Sequence, residues 1–189
     1  AFYGLRRSEI MGLRWQAVDF SSSTIRIEHT VVEFRLDGEH KIVSKNRMKN
    51  KASCRTMPLV PQFRELLIRM QERQQNCREL CGNCYTETDY IYVNDLGVPY
   101  KPNFVTQHFR IVLQKNGLRI IRFHDLRHTC TSLLLKSGVS MKEIQEWLGH
   151  SNFSTTANIY AHLDAAAKSS SAVRLNGILS IQPGIPVGL

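Results

Sequence analysis

One long tract of this chain, residues 24–59, is patterned for strands, and nearly everything after Pro61 is patterned for helices. Thr24–Phe34 (TIRIEHTVVEF) is rich in β-branched residues and partly alternates, which reads as a strand. Asp37-Gly38 is a hairpin turn signal, and Glu39–Ser44 is the return strand. A second turn falls in the basic tract near Lys49–Ser53, and a third strand covers Arg55–Leu59. The expectation is a three-stranded antiparallel meander with a basic loop at one end. Before it, Ser8–Trp15 reads as a short helix with Ser8 as its cap. After it, Pro61 opens a long helix with Phe63, Leu66, Leu67 and Met70 on one stripe. A short apolar run, Tyr90–Val93, and a turn at Asp95–Gly97 follow. Helical patterns then cover about 103–115, 124–136, 140–148 and 154–164, with Ser140 as an N-cap and Ser137-Gly138 and Gly149 as stops. The fold class expected is α+β, mainly α, with a small three-stranded antiparallel sheet at one edge.

At 189 residues the chain fits one ordinary domain with a proper core. No apolar run exceeds Tyr90–Val93, far short of the ~20 residues of a membrane span. No charged and then apolar opening stretch marks a secretory signal. Five cysteines, an odd number, argue against a disulfide scaffold. Cys77, Cys81 and Cys84 form C-x₃-C-x₂-C, but no second pair follows to complete a zinc site, and a reduced loop cluster is the reading. The charge is the remaining constraint: 25 Lys+Arg against 16 Asp+Glu give +9 and a pI near 9.6, which suits a polyanionic partner such as nucleic acid. Residues 41–55 hold six bases and no acid, and Lys101–Arg127 holds six bases against Asp125 alone.

Certain side chains suit a phosphodiester, whose reaction builds negative charge that rigid cationic forks can neutralise. His124 and Arg127 in RFHDLRH lie three apart, on one helix face. His150 follows the helix-stopping Gly149, at a turn. Tyr160 lies on the next helix, and its hydroxyl is a poor nucleophile unless cations surround it. The same stretch, VSMKEIQEWLGHSNFSTTANIY, also reads as a helix–turn–helix that could contact a DNA groove without chemistry.

Five blocks taken together resemble the tyrosine recombinase (phage-type integrase) family, in its C-terminal catalytic domain. They are GLRRSEIMGLRW (4–15), KNKASCRTMPL (49–59), FHDLRHT (123–129), LGHS (148–151) and the Y-x-H at 160–162. The resemblance implies that residues 1–164 form a recombinase catalytic domain. Residues 165–189 would be a C-terminal helix or tail, with 165–181 docking on a neighbouring subunit. It implies that Arg6 and Arg127 clamp a DNA phosphate, with Glu9 a supporting carboxylate. Lys49 matches the family's turn lysine, the general acid for the leaving 5′ oxygen; Lys51 is its rival. His124 pairs with Arg127, His150 hydrogen-bonds the phosphate, and Tyr160 is the nucleophile that forms a 3′-phosphotyrosyl link. Arg47 and Lys51 would extend the cationic cleft along the duplex.

The implied activity is site-specific recombination, integrating or excising mobile DNA without a cofactor, metal or ATP. The implied partners are double-stranded DNA, a homotetramer in the synaptic complex formed from free monomers, and an excision or directionality factor. A cytoplasmic, nucleoid-associated place follows, with no membrane. The alternatives are a type IB topoisomerase-like activity or a catalytically silent helix–turn–helix module. With five residues before Arg6, the family's preceding helix and core-binding domain are expected to be absent from this chain.

Overall fold

In the computed structural model, the described residues are 2–46 and 54–149, all within the first of two units of the chain, Ala1–Ser151. The order begins with a short helix α1 (Arg7–Met11), a 3₁₀ turn at Trp15–Ala17, and strands β1 (Val18–Asp19), β2 (Thr24–Ile27), β3 (His29–Leu36), β4 (Glu39–Asn46) and β5 (Arg55–Pro58). Helices α2 (Pro61–Cys81), α3 (Pro102–Lys115), α4 (Asp125–Lys136) and α5 (Met141–Leu148) follow. Among these residues no helix is long and apolar enough to cross a membrane.

The expected fold class holds, but the strands are shared out differently. The three-stranded sheet has the order β1-β2-β5, and β3 and β4 form a separate two-stranded ribbon. The stretch read as one strand, 24–34, breaks at Glu28 because its halves take different partners. Ile25 pairs with Met57 of β5, whereas Val32 pairs with Val43 of β4. Alternation marks each half as a strand but carries nothing about its neighbour. The ribbon turn is as expected: Asp37 and Gly38 both have positive φ, 51° and 84°, the twist that a two-residue hairpin loop requires.

The main core lies under the sheet. Ile25, Ile27, Met57 and Leu59 pack with Tyr3, Leu13, Leu67 and Ile91, with Phe63 and Met70 of α2 at its margin. Pro61 opens α2 at a position where a missing N–H costs nothing. A second cluster joins Cys130 of α4 to Ile144 and Leu148 of α5. Ser140 caps α5 as expected: its Oγ accepts from the Glu143 N–H, and the Glu143 carboxylate accepts from the Ser140 N–H at 3.0 Å. α1 is not capped by Ser8. Its N-cap is Arg6, whose backbone N–H donates to Glu9 Oε2 at 2.8 Å.

The ribbon touches the body at its base, where His29, Thr30 and Val31 are buried. Gly12 makes that approach possible: a Cβ there would lie 2.3 Å from the His29 carbonyl oxygen. The obstructing atom is backbone, so a side chain cannot simply swing aside. Gly12→Ala is expected to lower stability by about 1–3 kcal/mol through overpacking, read as a lower denaturant midpoint at unchanged slope.

Candidate functional site

Three guanidiniums converge on the end of α5. Arg55 donates through Nε to the Trp147 carbonyl at 2.8 Å, Arg127 through Nη2 to the Leu148 carbonyl at 2.7 Å, and Arg6 through Nη2 to the Gly149 carbonyl at 3.1 Å. The last carbonyls of a helix have no partner within it, and the helix dipole makes that end partly negative. Cations are the natural caps there. Arg127 also donates through Nη1 to the Gly4 carbonyl at 2.5 Å, joining α4 to the segment that leads into α1.

One carboxylate organises two of these arginines. Glu9 is fully buried and accepts from Arg6 Nη1 at 2.8 Å. From the other side Arg55 donates to it through Nη1 at 3.3 Å and Nη2 at 3.2 Å. Burial pushes the Glu9 carboxyl up, but hydrogen bonds and charge from Arg55, then those of Arg6, outweigh it and hold it below the ordinary carboxylate value. Among the described residues, three guanidiniums gather around this one carboxylate, a surplus of positive charge. Arg127 is 3% exposed; burial, followed by the charge of Arg6, pushes its pKa down to about 10, so it remains protonated at neutral pH.

His124 is the N-cap residue of α4, three residues before Arg127, and its ring meets His128 edge-on at 5.1 Å. Burial of the ring, then the His128 and Arg127 charges, hold its pKa below the ordinary imidazole value. Arg7, beside Arg6, instead binds Asn103 Oδ1 and Thr106 Oγ1, tying α1 to α3.

Of the residues singled out in the sequence, Arg6, Glu9 and Arg127 meet at this turn, with His124 next to Arg127. Arg47, Lys49, Lys51, His150 and Tyr160 lie outside the described residues, as do the second half of the helix–turn–helix reading and residues 165–189. Described residues flank the segment 47–53 in the chain. Before it, Asn46 Oδ1 contacts His29 Nδ1 at 2.5 Å and accepts from Arg14 at 2.7 Å, and His29 Nε2 meets the Tyr90 hydroxyl at 3.0 Å. After it, Arg55 opens β5 and reaches Glu9 and Trp147. Sequence reasoning passed over Arg55: it lies inside the quoted block KNKASCRTMPL, but nothing in its spacing points to Glu9. Cys77 and Cys81 direct their thiols to Asp95 Oδ1 and the Asp95 carbonyl, both at 3.8 Å, and are free cysteines. Among the described residues no group of three or more His, Cys, Asp or Glu could hold a metal ion.

This fold is shared with DNA recombinases. It is similar to a Tn1549 transposon integrase solved in complex with transposon right-end DNA (TM-score 0.69, 21% identity, 92% of this chain and 56% of that one). It is also similar to XerA recombinase (TM-score 0.63, 22% identity, 97% and 54%). The chain belongs to the phage integrase family, whose model matches residues 3–167. In sequence it is 30% identical over 183 residues to a XerC-like tyrosine recombinase of Caldanaerobacter subterraneus subsp. tengcongensis, covering 93% of this chain and 46% of that protein. It is 27% identical over 176 residues to the ICEBs1 integrase of Bacillus subtilis, with 93% and 46% covered. The chain thus spans about half the length of the relatives it matches.

Replacing Glu9 leaves two arginines facing each other without their shared anion. Glu9→Gln is expected to cost about 3–5 kcal/mol of stability at neutral pH. Because the folded carboxyl titrates below its unfolded value, this stabilisation is complete above the unfolded pKa and is lost as pH falls through the folded one. Thermal melts of the two proteins should therefore converge in acid; a difference that stays constant with pH would refute the assignment.

Proposed function

We propose that this chain is the catalytic part of a recombinase that breaks and rejoins double-stranded DNA through Tyr160. The observation that carries the reading is the convergence of Arg6 and Arg127, residues 121 positions apart in the chain, on the carbonyls that lead into His150. Such a pair of rigid forks, charged at neutral pH, is what a phosphodiester needs as negative charge accumulates on its oxygens. The family membership and the five sequence blocks support the same reading.

In this mechanism Arg6 and Arg127 hold the scissile phosphate, and Glu9 keeps Arg6 oriented. The Tyr160 oxygen attacks phosphorus and the bond to the 5′ oxygen breaks, leaving a 3′-phosphotyrosyl link. Lys49, with Lys51 as its rival, gives its proton to that leaving oxygen. His124 and His150 hydrogen-bond the phosphate as the charge develops. A 5′-hydroxyl from a second DNA end then attacks the link and releases Tyr160. The phosphodiester energy is kept in the covalent intermediate, so rejoining needs no nucleotide. Arg47 and Lys51 belong to the surface that follows the backbone, contacts that position the duplex more than they read it. With this reading go a tetramer on two DNA sites, docking of residues 165–181 on a neighbour, and control by an excision factor.

The test is a library of nicked duplexes randomised around the nick, from which covalent adducts are recovered on denaturing gels and sequenced. Wild type is expected to form an adduct and Tyr160→Phe none; an adduct that persists in Tyr160→Phe would remove Tyr160 as nucleophile. Arg6→Ala is expected to slow adduct formation by about 10²–10³-fold. Duplex binding should weaken steeply with salt, and a log–log slope near zero would count against a phosphate-tracking surface.

A further inference from the structure

The mechanism above gives no task to Arg55, yet Arg55 is the residue that bridges its parts. It is the first residue of β5, two positions after the lysine segment 47–53, and its side chain is 9% exposed. One edge of its guanidinium meets both oxygens of Glu9, and its Nε–H meets the Trp147 carbonyl. Glu9 in turn holds Arg6 through a second pair of bonds, one to the guanidinium and one to the backbone N–H. Three elements, β5, α1 and the end of α5, are therefore held in register through one planar group.

We propose, resting on the recombinase reading, that Arg55 is a positioning residue for the phosphate clamp: it fixes Arg6 through Glu9, and fixes through Trp147 the turn that leads into His150. The task needs the fork shape as well as the charge. An ammonium has no planar edge that can serve two carboxylate oxygens while a third N–H reaches a carbonyl. A larger anionic neighbourhood does not explain the arrangement. Among the described residues, the charged groups that hold Glu9 include Arg55 and Arg6, and Arg127 feels its charge in return.

The test compares Arg55→Lys and Arg55→Gln with wild type, using the adduct-forming duplex recovered from the library. Both variants are expected to bind the duplex as wild type does and to cleave about 100-fold more slowly, the scale of an ångström-level misplacement. A second duplex carries a neutral methylphosphonate at the scissile position. With no phosphate charge left for Arg6 to neutralise, the defect of Arg55→Lys is expected to shrink there by about tenfold or more. Equal defects on both duplexes, or wild-type cleavage by Arg55→Lys, would overturn the proposal. The carboxyl carbon resonance of Glu9, followed by NMR against pH, is independent of activity. It should titrate higher in Arg55→Gln than in wild type, and an unchanged titration would overturn the proposal even if wild type forms no adduct. Absence of a wild-type adduct alongside a shifted Glu9 titration would instead remove the recombinase reading and leave Arg55 as the group that holds Glu9.

Discussion

The buried carboxylate of Glu9 is the interaction on which the arrangement of α1, β5 and the end of α5 depends. An isolated carboxylate so far from water would be prohibitively unfavourable, and its two arginine partners turn that cost into a geometric requirement. Arg6 and Arg55 must both be present, and each must reach it from its own element. Breaking the network is costly because it leaves buried charges unpaired, whereas the intact network gains little over a well-packed apolar replacement. Its contribution lies in allowing one arrangement only, because any displacement of α1 or β5 leaves a charge unpaired.

The same logic extends to the end of α5. A helix that ends on Trp147, Leu148 and Gly149 presents carbonyls with no partner in the helix, and the left-handed Gly149, with φ 64°, turns the chain away. Arginines from β5, α4 and the residue before α1 take these carbonyls one after another. Structural capping and the collection of positive charge are thus the same event. A cluster with a surplus of cations fits an anion such as a phosphodiester, and the family to which the chain belongs gives that reading its chemical form.

The strand tract, the Asp37-Gly38 turn, the Pro61 helix and the Ser140 cap were legible because each rests on the preferences of a few adjacent residues. The division of the strands was not. Residues 24–34 are strand-forming throughout and alternate only in part; the interruption at Glu28 follows from the different partners of the two halves, Met57 for Ile25 and Val43 for Val32. Ser8 has the chemistry of a cap, yet Arg6 takes that place because Glu9 reaches back to its N–H. The helix therefore starts two residues earlier than a Ser8 cap would place it, through a bond between residues three apart within its own first turn.

The candidate site divides in the same way. The sequence by itself determined which residue types are present and in which order, and its five short blocks pointed to the family and singled out Arg6, Glu9, His124 and Arg127 as candidate site residues. Arg55 had no such signal, since its partners are 46 and 92 positions away in the chain. Only the tertiary structure decided that one buried carboxylate and three successive carbonyls would collect these guanidiniums. The physical reason is that hydrogen bonding and desolvation act between neighbours in space, and the chain's local preferences do not encode which distant groups become neighbours.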